Sequence, residues 1–210
     1  MIKFENVETS GWQASIRGMR NPMNSWHKSD SKKTFSEIEY NVKFSVGDND
    51  LKLMQNLSKA GSDHAKFLRM INVTVDITAP LYWFKEYDTY KVGTVANSCS
   101  TMHKIHDKEF TLGDFSHENL TEGAMDVLNI VIEHLNFCRK WYQEEKNKVW
   151  WWQMIQLLPT SYNQKRTVQL NYQVLKNIYH ARKNHKLDEW RDFCKWIETL
   201  PYAKELICNV

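Results

Sequence analysis

The sequence predicts an α+β fold in which a small antiparallel sheet packs against several helices, in a single domain over residues 1–210. Three observations predict it. Alternating and β-branched apolar segments lie in the first half of the chain, apolar residues at helical spacing dominate the second half, and no linker or repeat separates the halves. A length of 210 residues also favours one domain.

Composition narrows the class of protein. The net charge is only +3, so no global field attracts nucleic acid. The four cysteines form no Cys-x-x-Cys pair, which predicts free thiols in a reducing compartment. The N-terminal residues lack an apolar signal core, and no apolar run is long enough for a membrane span. We therefore expect a cytoplasmic protein, with neither membrane nor nucleic acid as a partner.

The first elements follow from local patterns. Residues 1–8 resemble a short strand, and the next segment, GWQASIRGMRNP, a helix that Pro22 ends. The polar stretch SWHKSDSKKT predicts a loop. In FSEIEYNVKFSV the apolar residues alternate from Ile38 through Tyr40 onward, which predicts a half-buried strand.

The middle of the chain carries clearer boundaries. GDND caps a helix that Gly61 ends, and Ser62 or Asp63 is expected to cap a short helix through HAKFLR. The β-branched residues of MINVTVDITAP predict a strand. Pro80 ends that strand and opens the helix LYWFKEYDTY.

The second half is predicted to be helical. Helices are expected over TEGAMDVLNIVIEHLNFCRKWYQEE, NKVWWWQMIQLL, KRTVQLNYQVLKNIYHARKNH and LDEWRDFCKWIETL. The predicted buried stripe of the first of these consists of Val127, Ile130, Val131, His134, Leu135 and Cys138. Three adjacent indoles, Trp150–Trp152, cannot all face the core of one helix, so at least one should face a partner, a ligand or solvent.

Motifs between His64 and Arg182 occur in a distinctive order. A strand ends in Ala79-Pro80 and leads into a helix, a Ser-Cys-Ser cluster follows, and a Leu158-Pro159 turn comes before a long helical pattern. This order resembles the flavin-dependent thymidylate synthases, and divergent phage-encoded members look most similar. Between the helix and the cluster that family has an Arg-His-Arg signature, where this chain has Thr89-Tyr90-Lys91.

The resemblance implies roles for individual residues. Glu86 falls on a nucleotide-binding glutamine, and Cys99 on the motif serine, unless a one-residue shift puts Ser98 or Ser100 there. The residues implied to bind the cofactor are His64, Lys91, Asn171 and Asn177. Those implied to bind the substrate are Glu86, Ser98, Cys99, Ser100 and Arg182. Arg182 is also the implied catalytic residue, which polarises the pyrimidine.

The resemblance also implies an activity. The protein would transfer a methyl or hydroxymethyl group to the pyrimidine C5 of a nucleotide such as dUMP, using FAD, a reduced folate as carbon donor and, as a further candidate, NADPH. A homo-oligomer, a tetramer in the family, would be the working form. The alternative is an inactive nucleotide-binding, sequestering or structural protein, because arginines of the family pattern are replaced at Thr89-Tyr90-Lys91, at Thr101 and at Ile155.

The residues themselves leave these interpretations open. Asn171 and Arg182 lie about three helical turns apart, so a continuous helix would place them on one face with Val174, Leu175 and Ile178. That face is either the wall of a pocket or an ordinary helix edge. Asn177 lies off that face.

The Gly93 turn with Lys91 and the nearby hydroxyls can hold a phosphate or form a plain polar loop. Cys99 is expected to be a buried, inert thiol rather than a nucleophile. His103-x-x-His106 with Asp107 lacks a second set of ligands, so no metal is expected.

Overall fold

The structure, a computed structural model, describes residues 1–36 and 41–210. Within them the fold is α+β, as predicted. The strands are β1 (Lys3–Ser10), β2 (Lys32–Ser36), β3 (Asn41–Ser45), β4 (Asn72–Pro80), β5 (Val95–Ser98) and β6 (Asn163–Asn171). The helices are α1 (Trp12–Arg20), α2 (Asp48–Lys59), α3 (Leu81–Tyr87), α4 (Glu122–Glu145), α5 (Lys148–Leu157), α6 (Tyr172–Arg182) and α7 (Asp188–Glu198). Four strands form one sheet in the order β1-β4-β6-β5, and β2 pairs antiparallel with β3.

The β2–β3 ribbon changes one prediction. Its register runs from Lys32 opposite Ser45 to Ser36 opposite Asn41. The predicted loop covers residues 25–34, so its last three residues belong to a strand instead. Ile38 and Tyr40, from which the alternation was inferred, lie outside the described residues.

Several predicted boundaries are confirmed. α1 starts after Gly11, whose φ of +84° and close approach to the Met70 carbonyl leave no room for a side chain. Pro80 ends β4 and precedes α3.

The predicted cap of the HAKFLR segment is wrong. This segment is a 3₁₀ helix over Ala65–Met70 that begins after His64, so neither Ser62 nor Asp63 caps it.

Two predictions in the second half are wrong in part. Residues 165–171, predicted to start a helix, belong to the strand Asn163–Asn171, since Val168 and Leu170 alternate with exposed positions and pack into the core. On α4, Leu135 and Cys138 are buried as predicted, but Val127, Ile130 and His134 are exposed. The buried face instead runs through Leu128 and Ile132, because α4 carries apolar residues on two faces and the sequence pattern does not show which one packs.

The chain divides into two compact units, each built from three segments. The first consists of Met1–Glu5, Asp76–Thr89 and Ala96–Val168. Much of its core lies between α4, α5 and the preceding loops, with Phe115, Leu135 and Met154 almost fully buried. Trp152 is 43% exposed, so one indole of the Trp150–Trp152 run does face outward, as expected.

The second unit consists of Asn6–Val75, Tyr90–Val95 and Gln169–Val210. Its core is rich in aromatic rings. Trp12 contacts Tyr172 edge-on at 5.2 Å between ring centres, and the Tyr172 hydroxyl donates to the Pro201 carbonyl at 2.6 Å. That the two units form one domain stays a prediction. Among the described residues, no helix has both the length and the apolar character needed to cross a bilayer.

Candidate functional site

In the first unit, Arg166 of β6 anchors the end of α3. Its Nη1 donates to Asp88 Oδ1 at 2.7 Å, and its guanidinium carbon lies 3.9 Å from the centre of the Phe84 ring. The Arg166 side chain is only 15% exposed. Because the Arg166 guanidinium group stacks on Phe84 and pairs with Asp88, it fixes the backbone immediately before Thr89. Thr89 begins the segment that stands in place of the family's Arg-His-Arg signature.

The same arginine is linked to the Ser-Cys-Ser cluster through one more side chain. Arg166 Nε donates to Gln164 Oε1 at 2.9 Å, and Gln164 Nε2 donates to the Cys99 carbonyl at 2.7 Å. The Cys99 amide in turn donates to the Lys165 carbonyl at 2.9 Å. Gln164 is buried, so these bonds are shielded from water and hold the Cys99 backbone against β6.

Arg166 and Gln164 are absent from the residues implied by the resemblance. Arg166 was missed because residues 165–185 were assigned to a helix, and Gln164 directly precedes that segment. The alternation of Gln164, Arg166, Val168 and Leu170 was the available signal: these positions share one face of a strand, and two of the side chains are polar.

The predicted substrate residues of this unit differ in surroundings. Ser98 ends β5 and is exposed, and Ser100 Oγ accepts from the amides of Met102 and His103 at 3.2 and 2.9 Å, closing a turn. Cys99 is exposed, so the expectation of a buried thiol is wrong. Cys99 directly follows β5, an edge strand of the sheet, and does not lie within the core.

Glu86 is half-buried on α3. Its carbonyl accepts from both the amide and the hydroxyl of Thr89, at 3.1 and 2.8 Å, which closes the helix. His103 and His106 lie in turns rather than on a helix, and the His106 ring packs edge-on against Tyr142 at 4.8 Å.

Two titratable groups near these residues keep one protonation state at neutral pH. Burial, followed by the charge of Asp88, raises the pKa of Tyr87 well above its usual range. Hydrogen bonds to Glu5 and then Asp76 raise the pKa of Lys165. Tyr87 therefore stays neutral and Lys165 stays charged, and neither can act as a general base at neutral pH.

In the second unit, Arg182 is held at the end of α6. Its Nε donates to the Tyr90 hydroxyl at 2.8 Å, and its guanidinium carbon lies 5.1 Å from the centre of the Trp190 ring. Trp190 is fully buried and Arg182 half-buried. The predicted face of α6 is confirmed: Val174, Leu175 and Ile178 are buried.

The opposite end of α6 contacts the same segment. Asn171 caps the helix, its Oδ1 accepting from the Val174 amide at 3.0 Å. Gly93 has a φ of +77°, and a Cβ added there would lie 2.9 Å from Asn171 Nδ2. The segment containing Tyr90, Lys91 and Gly93 is thus fitted against α6 at both ends of the helix.

The remaining predicted cofactor residues lie elsewhere in this unit. Asn177 is exposed, off the buried face as expected, and accepts from Gln173 Nε2 at 3.0 Å. His64 lines a cavity of about 580 Å³ with mainly apolar walls, among them Met19, Leu53 and Phe67. The structure therefore brings the Tyr90–Gly93 segment against Arg182 and Asn171 at the two ends of α6.

Comparison with solved structures identifies the fold. ThyX, the flavin-dependent thymidylate synthase of Helicobacter pylori, crystallised with FAD and dUMP, matches with a TM-score of 0.70 at 15% identity, over 100% of this chain and 98% of that one. Another structure of the enzyme with the same ligands gives 0.69 at 16%, over 98% and 99%.

A third match is the UMP/dUMP methylase PolB of Streptomyces cacaoi, bound with 5-Br dUMP. It has a TM-score of 0.62 at 12% identity, over 100% of this chain and 95% of that one. No protein-family model and no curated protein matches the sequence. At such identities likeness establishes the fold and not the activity. The chain therefore has the fold of the ThyX flavin-dependent thymidylate synthases.

Proposed function

We propose that this protein acts on the pyrimidine C5 of a nucleotide such as dUMP, as a FAD-dependent methyltransferase or hydroxymethyltransferase of the thymidylate synthase type. One observation carries the proposal. The whole chain shares its fold with enzymes that were crystallised with dUMP or a dUMP analogue, two of these structures also holding FAD. The ordered motifs from Ala79-Pro80 to Arg182 support it.

Arg182 is the proposed catalytic residue. The hydrogen bond to Tyr90 and the packing near Trp190 restrict the orientation of its guanidinium group. Its N–H groups would donate to a pyrimidine carbonyl and stabilise negative charge that develops on the ring. A donor that is oriented before the substrate binds stabilises such charge without further reorganisation.

Further residues are proposed to bind the nucleotide. Ser98, Cys99 and Ser100 offer two hydroxyls and a backbone that β6 holds in place through Gln164. Hydroxyls and backbone amides can bind a phosphate where arginines are absent. Glu86 is the proposed counterpart of the family's nucleotide-binding glutamine.

The residues proposed to hold FAD are His64, Lys91, Asn171 and Asn177. The fit rests on two observations. His64 borders a cavity whose size and apolar walls suit a planar ring system. Lys91 is exposed and makes no ion pair with a described residue, so its ammonium group is available to a phosphate. When bound, FAD would supply the redox chemistry that turns a carbon from a reduced folate into a methyl group, with NADPH as the proposed reductant.

We further propose a homo-oligomer, a tetramer as in the family. The exposed α4 stripe (Val127, Ile130, His134 and Phe137) supports this. Its apolar side chains are 61%, 64% and 48% exposed for Val127, Ile130 and Phe137, and they recur at helical spacing along one face. A cytoplasmic location and a phage-encoded origin stay predictions.

A second candidate function is nucleotide binding without turnover. The replacement of the Arg-His-Arg signature favours it, because Tyr90, at the position of the family's histidine, accepts a hydrogen bond from Arg182. Ile155, at the position of an expected arginine, packs against the hydrophobic core of the first unit. Losing charged phosphate contacts of about 1.5–3 kcal/mol each would weaken cofactor binding first.

The experiment has two stages. An absorption spectrum of the purified protein, before and after incubation with FAD and removal of the excess, should show retained flavin bands. With FAD, NADPH and a reduced folate that carries the one-carbon unit present, the protein should then release tritium from dUMP labelled at C5. Arg182→Gln should abolish this release, whereas Lys183→Gln, which removes an exposed charge at the next position, should not. A colourless protein that takes up no FAD contradicts the flavin proposal, and dUMP binding without flavin supports the second candidate.

A further inference from the structure

A cavity of about 380 Å³ lies in the second unit between α1 and the β2–β3 ribbon. It includes none of the residues proposed to bind FAD or dUMP. Its lining combines cations with aromatic rings. Arg17, Arg20 and Lys33 contribute the charges, and Trp26 and Phe44 contribute the rings. No carboxylate is among the described residues that line it.

The floor of the cavity is a buried charge network. Arg20 is 4% exposed; its Nε donates to Asp50 Oδ1 at 2.6 Å and its Nη1 donates to the Ser25 carbonyl at 3.3 Å. Asp50 is fully buried and also accepts from the hydroxyls of Ser29 and Ser31, each at 2.6 Å. These bonds hold the guanidinium group rigidly. Its Nη2 has no acceptor among the described residues, although Arg20 lines the cavity.

The walls add two cations that the described part of the chain does not neutralise. Arg17 on α1 and Lys33 on β2 are exposed, and their side chains form neither an ion pair nor a hydrogen bond with described residues. The Trp26 ring is 49% exposed, and its Nε1 donates to Asn21 Oδ1 at 2.8 Å, which orients the indole. An oriented, half-exposed indole is a suitable stacking surface for a planar ring.

The cavity continues beyond these groups. A neighbouring cavity of about 400 Å³ shares Arg17, Lys33 and Phe44 with it, and no carboxylate is among its described lining residues either. Each volume falls within the range of small-molecule sites. The cations suit one phosphate group, the rings suit a base, and the adjoining space leaves room for a sugar.

We propose that this cavity is a second binding site, and that it takes a nucleoside monophosphate. Arg17, Arg20 and Lys33 bind the phosphate, and Trp26 and Phe44 contact the base. The site is independent of the proposed transfer reaction, since it uses none of the residues assigned to that reaction and would exist in an inactive protein as well.

The test is calorimetric titration of the intact protein with AMP, and separately with inorganic phosphate, at low ionic strength. Each cation that bonds the phosphate should contribute about tenfold or more to affinity, so Arg17→Gln and Lys33→Gln should each weaken AMP binding by that factor. Lys32→Gln is the matched control, because neighbouring strand residues face opposite sides and Lys32 is not in the cavity lining. It should leave the affinity within about twofold.

Two more variants locate the ligand. Trp26→Ala should weaken AMP binding about tenfold and leave phosphate binding unchanged, since stacking involves only the base. Arg182→Gln should leave AMP binding unchanged, which separates this site from the proposed catalytic one. Arg20 is not substituted, because its loss would leave Asp50 buried without its cation and could unfold the protein.

The proposal is overturned by any of three results. The wild-type protein binds no AMP; Lys32→Gln weakens binding as much as Lys33→Gln, which would indicate nonspecific surface charge; or Arg182→Gln abolishes binding, which would place AMP at the catalytic site.

Discussion

Arg182 donates its Nε–H to the hydroxyl of Tyr90 at 2.8 Å, which joins the end of α6 to the segment that follows α3. By the resemblance to flavin-dependent thymidylate synthases, Tyr90 stands at the histidine of the Arg-His-Arg signature. The substitution therefore does more than remove a cation. It supplies an acceptor that orients the proposed catalytic guanidinium group.

Replacing Tyr90 with Phe tests this positioning role. The ring stays and the hydroxyl goes, so Arg182 loses an orienting bond of about 1.5–3 kcal/mol. We expect kcat for tritium release from dUMP to fall about tenfold and KM to change less, because orientation affects the transition state most. Tyr179→Phe is the control. It removes another tyrosine hydroxyl beside α6, one that donates to Glu198 at 2.8 Å, and kcat should be unaffected. Equal losses in both variants would mean that Tyr90 has only a structural role.

Gly93→Ala should destabilise the protein. The position has a φ of +77°, where a residue with a Cβ is strained, and that Cβ would lie 2.9 Å from Asn171 Nδ2. We expect the free energy of unfolding in urea to fall by about 1–3 kcal/mol. Gly123→Ala, in the first turn of α4 with no atom within 4 Å of an added Cβ, should instead raise it by about 0.4–1 kcal/mol. A neutral Gly93→Ala would show that this segment is not fitted against α6.

Asp50 should make the stability of the protein depend on pH. Burial alone would raise the pKa of Asp50, but hydrogen bonds from Ser29, Ser31 and Arg20 outweigh it and lower that pKa below the ordinary value. The carboxylate therefore stabilises the fold above the ordinary pKa of about 4, and that contribution is lost as the pH falls through the lowered value.

The variant Asp50→Asn measures this contribution. At pH 7 it should lower the free energy of unfolding by about 3–5 kcal/mol, because Arg20 keeps its charge in a buried site without its counter-ion. The difference from wild type should shrink in urea titrations at pH 3. Asp48→Asn, an exposed carboxylate in the first turn of α2, should cost about 0.3–1 kcal/mol at pH 7. A pH-independent difference at Asp50 would contradict the role of its charge.

The exposed α4 stripe predicts assembly. Ile130→Glu places a charge in the middle of the apolar face, which an interface between copies would have to desolvate. Light scattering after size exclusion should therefore show a smaller species than wild type. Asn129→Glu adds the same charge at the neighbouring exposed position and should leave the mass unchanged. A wild-type monomer would refute the proposed oligomer.

The fold was predicted best where side-chain spacing and boundary residues agree. β4 and α3 meet at Pro80 as expected, because a β-branched strand and a proline at the helix start give the same boundary. Residues 165–171 of β6 were assigned to a helix because they run into α6 without a Gly or Pro between them. On α4 the spacing identified a helix but not which of two apolar faces is buried, since packing decides that.

The candidate site was predictable only in part, for a similar reason. The burial of Val174, Leu175 and Ile178 on one face of α6 follows from helix geometry, and the structure confirms it. Asn171 precedes α6 as its cap, so it does not share a helical face with Arg182 as predicted. The bond from Arg182 to Tyr90 joins residues far apart in the sequence, and the bond from Arg166 to Asp88 does the same. Nothing in local spacing encodes such pairs, so they become visible only in the folded chain.

The position of Cys99 has a practical consequence for spectroscopy. Of the four thiols it alone is exposed; Cys138 and Cys194 are buried, and burial raises the pKa of Cys194 to about 12. A maleimide dye should therefore attach at Cys99 first, without any cysteine being removed. Because Gln164 and Lys165 bond the Cys99 backbone and not its sulfur, the dye would be a fixed reporter beside the Ser-Cys-Ser cluster. Because Cys99 is itself a proposed nucleotide contact, bound nucleotide should slow attachment of the dye, and the labelling rate would follow nucleotide binding in the unaltered sequence.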